Sequence, residues 1–224
     1  MTKIIQPAQV FNERIIEIES ALSSIKLIID KKGKEGTYSD NFINILYSNV
    51  VLMLYNIIES TANNSAEYLY ASICKDKLTA KKLNPPVRQV WLESRIEEAY
   101  QKNSTFYTYK NTTSEIVSEV IEEKHIDMKN AKVRAGNVDS EYFRDFCKKH
   151  GIRFDTSVSK GGLALDDIKS ARNSLAHGEV SFTEWGRQKT IDDLNEYKIQ
   201  VFKYLGSFLE SIQLFVEGRV YANL

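Results

Sequence analysis

The segment from Phe42 to Ile58 constrains the fold more than any other part of the chain, because it is apolar on nearly every side when drawn as a helix. A helix that is apolar all round has to be buried on several sides. Ser39 and Asp40 stand immediately before this segment, and both residue types are favoured at helix N-termini. We therefore predict a central helix that begins at one of these two residues and continues past Asn63 and Asn64 to about Cys74, either straight or with a kink at the two asparagines.

The remainder of the chain also repeats apolar residues at helical spacing. Only ten Gly and three Pro occur among 224 residues, and apolar side chains recur three and four positions apart through most of the sequence. A first helix is predicted from Pro7 to Gly33, and a long carboxy-terminal helix is predicted to follow Thr190. Pro85 and Pro86 separate the central helix from another helical segment. These patterns predict an all-α protein with long antiparallel core helices.

The chain is long enough for one domain, which we assign to residues 1–224, with an insertion at residues 103–160. The first half of the insertion is more polar and has few apolar anchors, so a helical excursion from the core is expected there. A short helix at residues 140–149 and a flexible loop at residues 157–162 are predicted next. A further short helix is expected from Asp166 to Gly178.

Composition excludes several classes of protein. Thirty Lys and Arg balance thirty Asp and Glu, so polyanion binding would have to come from a local patch and not from net charge. The two cysteines, Cys74 and Cys147, are far apart and predict neither a disulfide framework nor a thiolate zinc site. The chain shows no signal-peptide pattern and no run of eighteen apolar residues. We expect a cytoplasmic protein that does not span a membrane and needs no metal or cofactor.

The stretch KSARNSLAHGEVSF, Lys169 to Phe182, combines an arginine and a histidine at the end of the last short helix. Asn173 and His177 fall on one face, opposite the apolar side, and the side chain of Arg172 can swing toward the imidazole. One explanation is that His177 neutralises the last helical carbonyls while Gly178 adopts the left-handed cap conformation. The other is chemical, because an imidazole moves protons near neutral pH and a guanidinium binds phosphate with two hydrogen bonds.

A second arginine and histidine, Arg144 and His150, occur in RDFCKKHG. This segment carries aromatic residues and does not precede the longest amphipathic helix, so we expect a structural role for it. Cys147 and His150 form a C-x-x-H fragment without a second pair, which is too little for a zinc site.

The arrangement around Arg172 and His177 resembles the HEPN superfamily (higher eukaryotes and prokaryotes nucleotide-binding). Its members are helical domains with an R-polar-x-x-x-H signature near the end of the penultimate core helix. The resemblance extends to LYNIIES in the central helix and to FTEWGRQKTIDDL after the motif, and it spans Ser39 to Phe215. It implies a HEPN-like helical bundle with a short motif helix, and it makes Glu59 a candidate polar partner of the site.

The resemblance also implies an activity. HEPN ribonucleases cut RNA without a metal, by attack of the 2′-hydroxyl, and leave 2′,3′-cyclic phosphate and 5′-hydroxyl ends. They pair two protomers so that two Arg and His sets face one cleft, which implies a homodimer through the motif helix. The candidate catalytic residues are Arg172, His177, Asn173 and Glu59, and Asn173 is expected to hold the imidazole by a hydrogen bond.

Four basic residues near the motif supply candidate RNA contacts: Lys160, Lys169, Arg187 and Lys189. Each is equally well explained as a solvated surface residue. By the same resemblance the protein is expected to be a toxin or phage-defence effector, with an antitoxin or sensor protein as a further partner. The alternative is a non-catalytic HEPN module that binds a nucleotide or RNA, or joins a dimer.

Overall fold

The computed structural model describes residues 6–35, 38–101, 105–128, 131 and 136–223, and these residues form an α-helical bundle. The helices are α1 (Pro7–Glu35), α2 (Asp40–Lys75), α3 (Pro85–Gln101), α4 (Phe106–Ile121), α5 (Ser140–His150), α6 (Val158–Gly161), α7 (Leu163–Ala176), α8 (Phe182–Arg187) and α9 (Ile191–Glu217). Within the described residues, extended pairing is limited to two isolated bridges. The all-α prediction is confirmed.

Helix α2 lies at the centre and packs against α1, α7, α8 and α9. The Ser39 hydroxyl accepts a hydrogen bond from the Phe42 N–H and caps its first turn. The helix runs to Lys75 and continues through Asn63 and Asn64 as one element, and side chains such as Leu54 and Ile58 are fully buried. Among the described helices, α2 alone has the length and hydropathy to cross a membrane, but half of its most apolar window is buried inside the bundle.

Helices α1 and α9 both pack against α2 and also contact each other. Helix α1 begins at Pro7 as predicted, and it continues beyond the predicted stop at Gly33 to Glu35. Helix α9 begins after Thr190, whose hydroxyl accepts a hydrogen bond from the Asp193 N–H while the Asp193 carboxylate accepts one from the Thr190 N–H. This reciprocal cap confirms the predicted helix start.

The segment predicted as a flexible loop at residues 157–162 contains α6, which is a compact turn and not a regular helix because its inner residues have non-helical φ and ψ. Ser159, Lys160, Gly161 and Gly162 all have positive φ, from 50° to 86°. The two glycines adopt this conformation without steric cost, and Arg144 Nη1 donates a hydrogen bond to the Gly161 carbonyl at 3.0 Å. The turn lets α7 begin at Leu163, earlier than the predicted start at Asp166.

Helix α8 was not predicted, although the sequence carries its signal. The Ser181 hydroxyl accepts from the Glu184 N–H, and the Glu184 carboxylate accepts from the Ser181 N–H. This pair is a capping box. Helix α8 packs so closely on α2 that a Cβ atom at Gly186 would overlap the backbone carbonyl of Asn44.

Candidate functional site

The guanidinium of Arg172 is half-buried between α7 and α2, and the groups that it contacts among the described residues are neutral. Its Cζ lies 4.4 Å from the centre of the Tyr55 ring. Its Nη1 donates hydrogen bonds to Asn173 Oδ1 at 2.9 Å and to the Gly136 carbonyl at 3.3 Å. No carboxylate of the described residues forms an ion pair with it. Its positive charge is therefore held in place with no carboxylate of this part of the chain paired to it, which suits an anion ligand.

Two side chains of α2 hold the backbone that contacts Arg172. The Glu59 carboxylate Oε1 accepts a hydrogen bond from the Gly136 N–H at 2.7 Å. The Tyr55 hydroxyl accepts one from the Val138 N–H at 3.3 Å. Glu59 therefore lies close to Arg172 and is connected to it through the Gly136 peptide. We call Tyr55, Glu59, Gly136, Arg172 and Asn173 the arginine cluster.

His177 stands at the C-terminus of α7 with its ring exposed to solvent. Its N–H donates to the Asn173 carbonyl at 2.9 Å, Gly178 has φ 71°, and the Glu179 N–H donates to the Ser174 carbonyl at 3.0 Å. These bonds form a Schellman end, so the capping explanation is correct for the backbone. The imidazole takes no part in the cap, and within the described part of the chain its nitrogens have no hydrogen-bond partner. It remains available to a ligand.

The expected hydrogen bond between Asn173 and the His177 imidazole is not formed. Asn173 Oδ1 accepts from Arg172 instead, and the guanidinium turns toward Tyr55 and not toward His177. The guanidinium does not reach the imidazole because Arg172 and His177 are five positions apart. On a helix this spacing separates two residues by about 140° around the axis and about 7.5 Å along it. Within one chain, Arg172 faces the bundle and His177 faces solvent.

The predicted RNA-binding lysines differ in how available their charges are. Lys169 Nζ lies 2.6 Å from Asp139 Oδ2 in a partly buried ion pair. Burial raises the pKa of Asp139, but hydrogen bonds from Lys169 and the Tyr142 N–H outweigh it and hold that pKa below its ordinary value. The charge of Lys169 is thus already balanced within the chain, because it fastens α7 to the N-terminus of α5.

Lys189 is engaged by aromatic groups instead of a carboxylate. Its Nζ lies 5.4 Å from the centre of the Trp185 ring and 5.2 Å from that of Tyr197, and it donates to the Tyr197 hydroxyl at 3.3 Å. Arg187 and Lys160 are exposed. Of the four predicted basic residues, these last two present their charges to solvent.

The second arginine and histidine pair has the structural role that was predicted. The His150 ring is buried, and its Nδ1 lies 2.8 Å from the Phe146 carbonyl while its Nε2 lies 3.0 Å from the Tyr70 hydroxyl. A carbonyl only accepts, so Nδ1 carries the hydrogen and Nε2 accepts from Tyr70. Burial lowers the pKa of His150 to about 4 and raises that of the neighbouring Cys147 thiol to about 12. Neither group is available for chemistry near neutral pH.

Comparison with known protein families gives a match over nearly the whole chain. The family model described as HEPN_MAE_28990/-like HEPN matches residues 8–221, a range that includes the arginine cluster and His177. No curated protein and no solved structure matches the chain.

Proposed function

The chain belongs to the HEPN family, and from this premise we propose that it is a metal-independent endoribonuclease. The observation that carries the proposal is the guanidinium of Arg172, which is half-buried, fixed by Tyr55, and unpaired with any carboxylate of the described residues. A phosphodiester offers the two oxygens that a guanidinium binds best. In the transition state of phosphodiester cleavage, negative charge builds up on these oxygens, and a fixed cation stabilises it.

His177 supplies the proton transfer that the reaction needs. The 2′-oxygen of the RNA forms a bond to phosphorus while the bond from phosphorus to the 5′-oxygen breaks. An imidazole accepts the 2′-hydroxyl proton, and an imidazolium donates a proton to the departing 5′-oxygen. The products are a 2′,3′-cyclic phosphate and a 5′-hydroxyl. Neither proton transfer requires a metal ion.

Two chains together provide a more complete site than one. Within a chain the Arg172 guanidinium faces α2 and the His177 ring faces solvent, so a two-fold partner placed over α7 would add a second exposed imidazole beside the first guanidinium. The proposal therefore includes a homodimer with two Arg and His sets in one cleft. It also includes a cytoplasmic toxin or phage-defence role, in which an antitoxin or sensor protein restrains the activity.

The alternative is a helical module that binds RNA or a nucleotide without cutting it. It is favoured by the internal contacts of Arg172, which ties α7 to α2 and to residue 136. An arginine with this many contacts also has a structural role, and binding of a phosphate does not require His177.

Cleavage of RNA in the presence of EDTA separates the two functions. We expect the parent protein to cut total RNA, and we expect Arg172→Ala and His177→Ala each to lower the rate by about 100-fold or more. Arg153→Ala and His125→Ala change exposed residues outside the arginine cluster and serve as matched controls. Mass spectrometry of the fragments should find 2′,3′-cyclic phosphate ends. Equal residual activity in all five proteins would point to a contaminating nuclease and to the binding module.

A further inference from the structure

Helix α4, all of whose residues the structure describes, has no buried side chain. It packs mainly on α3, and nearly half of the exposed large apolar side chains of the described residues lie between residues 96 and 121. The most exposed of them is Phe106, at 85%, and its neighbour Tyr107 is 69% exposed. A concentration of exposed apolar surface of this kind usually marks a binding site.

The first turn of α4 carries three aromatic rings and a lysine. Thr105 caps this turn, because its hydroxyl accepts a hydrogen bond from the Thr108 N–H at 3.3 Å. Four residues make up what we call the α4 tip: Phe106, Tyr107, Tyr109 and Lys110. All four are exposed. On a helix with 3.6 residues per turn, Phe106, Tyr107 and Lys110 lie within about 100° of one another, so one ligand can contact all three.

The composition around the α4 tip indicates the kind of ligand. Residues 100–114 include no aliphatic and no acidic residue, and the aromatic rings alternate with hydroxyl and amide side chains. Bases of single-stranded RNA stack on aromatic rings of any sequence context, and lysine attracts the phosphates between them. A membrane-binding helix needs a continuous apolar face and several cations. A helix that docks in a protein groove needs apolar anchors three and four positions apart, but Lys110, Thr113 and Ser114 interrupt this spacing.

The charges of this region are compatible with a polyanion. The carboxylates near the other end of α4 form ion pairs with cations of the chain: Glu115, Glu119, Glu122 and Glu123. Arg95 of α3 binds the first two of them, at 3.3 and 3.2 Å. Lys110 forms no ion pair with any other described residue. It therefore presents its charge to solvent, where a phosphate can approach it.

The α4 tip and the arginine cluster are close enough to share one RNA strand. Helix α4 packs on α3, α3 on α5, and α5 on α7. Axes of packed helices are about 8 to 10 Å apart, so three such steps separate α4 from α7 by no more than about 30 Å. About nine nucleotides of a stacked strand span this distance at about 3.4 Å each. We propose that the α4 tip binds unpaired bases of the RNA that the arginine cluster cleaves, an inference that rests on the proposed function.

An RNA analogue that cannot be cut measures binding at the α4 tip. In a fluorescein-labelled 2′-O-methyl 20-mer the attacking hydroxyl is blocked, and fluorescence anisotropy gives the dissociation constant. Phe106→Ser and Tyr107→Ser should each weaken binding by about 10-fold, because each removes a ring on which a base stacks. Phe106→Tyr and Tyr107→Phe keep the ring and should stay within about 2-fold of the parent.

Ile121→Ser is the matched control for the serine variants. Ile121 is 72% exposed on α4 but has no ring, so its replacement should leave the dissociation constant of the 20-mer unchanged. Lys110→Gln should lower the slope of log K against log salt concentration by about 1, because one phosphate contact is lost. Circular dichroism of every variant establishes that it is folded.

Substrate length separates the α4 tip from the catalytic residues. For cleavage of a 20-nucleotide RNA, Phe106→Ser/Tyr107→Ser should raise KM by about 10-fold or more and keep kcat within about 3-fold. A trinucleotide is too short to reach from the arginine cluster to α4, so the double variant should cleave it like the parent. His177→Ala should instead lower kcat for both substrates.

The outcomes separate the α4 tip from the ribonuclease. Equal 20-mer binding by the parent and both serine variants would overturn the role of the tip and leave the ribonuclease intact. Equal losses in Ile121→Ser and Tyr107→Ser would also overturn it, since stacking requires a ring. So would tip-dependent sedimentation with phosphatidylserine vesicles in a protein that does not bind the 20-mer. A parent that binds the 20-mer through the tip and cuts no RNA would support the tip and reject the ribonuclease.

Discussion

Tyr55 contributes two separate contacts to the site, one through its ring and one through its hydroxyl. The ring supports the Arg172 guanidinium, and the hydroxyl accepts from Val138. We expect Tyr55→Leu to lower RNA cleavage by about 10-fold, because it removes a cation–π contact of about 1 to 2 kcal/mol. Tyr55→Phe keeps the ring face and should stay within about 3-fold of the parent.

Tyr47→Leu is the matched control, since Tyr47 is also buried on α2 but does not contact Arg172. Rates of cleavage and thermal unfolding should be measured together for the three variants. If Tyr47→Leu and Tyr55→Leu lose stability and activity to the same extent, the Tyr55 ring has no specific effect on Arg172.

The sequence named candidate residues for the site but did not predict their contacts. Arg172 and His177 were proposed from their spacing together with the sequence around them, and Glu59 was proposed from the family resemblance. Tyr55 was missed because it lies in an apolar run, where nothing distinguishes it from an ordinary core aromatic residue. Gly136 was missed because it is 77 positions from Glu59 and meets it only in the folded chain. The predicted hydrogen bond between Asn173 and the His177 imidazole was wrong because the amide oxygen of Asn173 accepts from the adjacent Arg172 guanidinium.

The close contact between α8 and α2 requires that residue 186 be glycine, which has no side chain. In Gly186→Ala the new methyl group would overlap the Asn44 backbone, so α8 has to move away from α2. We expect the free energy of unfolding to fall by about 1 to 3 kcal/mol in urea denaturation.

The matched control for this change is Gly206→Ala in α9, where a Cβ atom meets no other heavy atom within 4 Å. Alanine is favoured over glycine inside a helix, so this variant should gain about 0.5 to 1 kcal/mol. Equal stability of the two variants would show that α8 is not held tightly against α2.

At the scale of helices, sequence reasoning succeeded where apolar periodicity and capping residues coincide, as in α2 and α9. It failed for α8, which is too short to show a period, and for the turn at residues 157–162, whose left-handed residues have no periodic signature. Periodicity also gives no contact for Asp166, whose carboxylate accepts hydrogen bonds from the N–H and hydroxyl of Ser140. Only the packing of α5 on α7 creates this contact.

For the molecule as a whole, His150 should make stability depend on pH. Its pKa is lowered by burial to about 4, whereas an unfolded histidine has its ordinary value of 6.5. Below pH 6.5 the unfolded chain therefore binds the proton more readily than the folded one. The free energy of unfolding should fall as the pH decreases from about 6.5 to about 4, by about 3 kcal/mol in all, and should be nearly independent of this residue above that range.

Urea unfolding of the parent and of His150→Gln at several pH values checks this expectation. Glutamine does not titrate, so the stability difference between the two proteins isolates the histidine from carboxylates such as Asp139, which titrate at lower pH. If the free energy of unfolding falls equally in the two proteins between pH 6.5 and pH 4.5, protonation of His150 does not destabilise the folded state.

The central position of α2 also affects how the chain is made on the ribosome. Three of the four helices that cover α2 begin at Leu163 or later. Residues 76–162 must be translated first, which takes roughly 4 to 17 s at about 5 to 20 residues per second. During this interval the nascent polypeptide carries a long helix whose residues 41–58 are uncharged, and of the four helices that cover it only α1 has been made. The period of greatest aggregation risk therefore falls during translation, when cotranslational chaperones act.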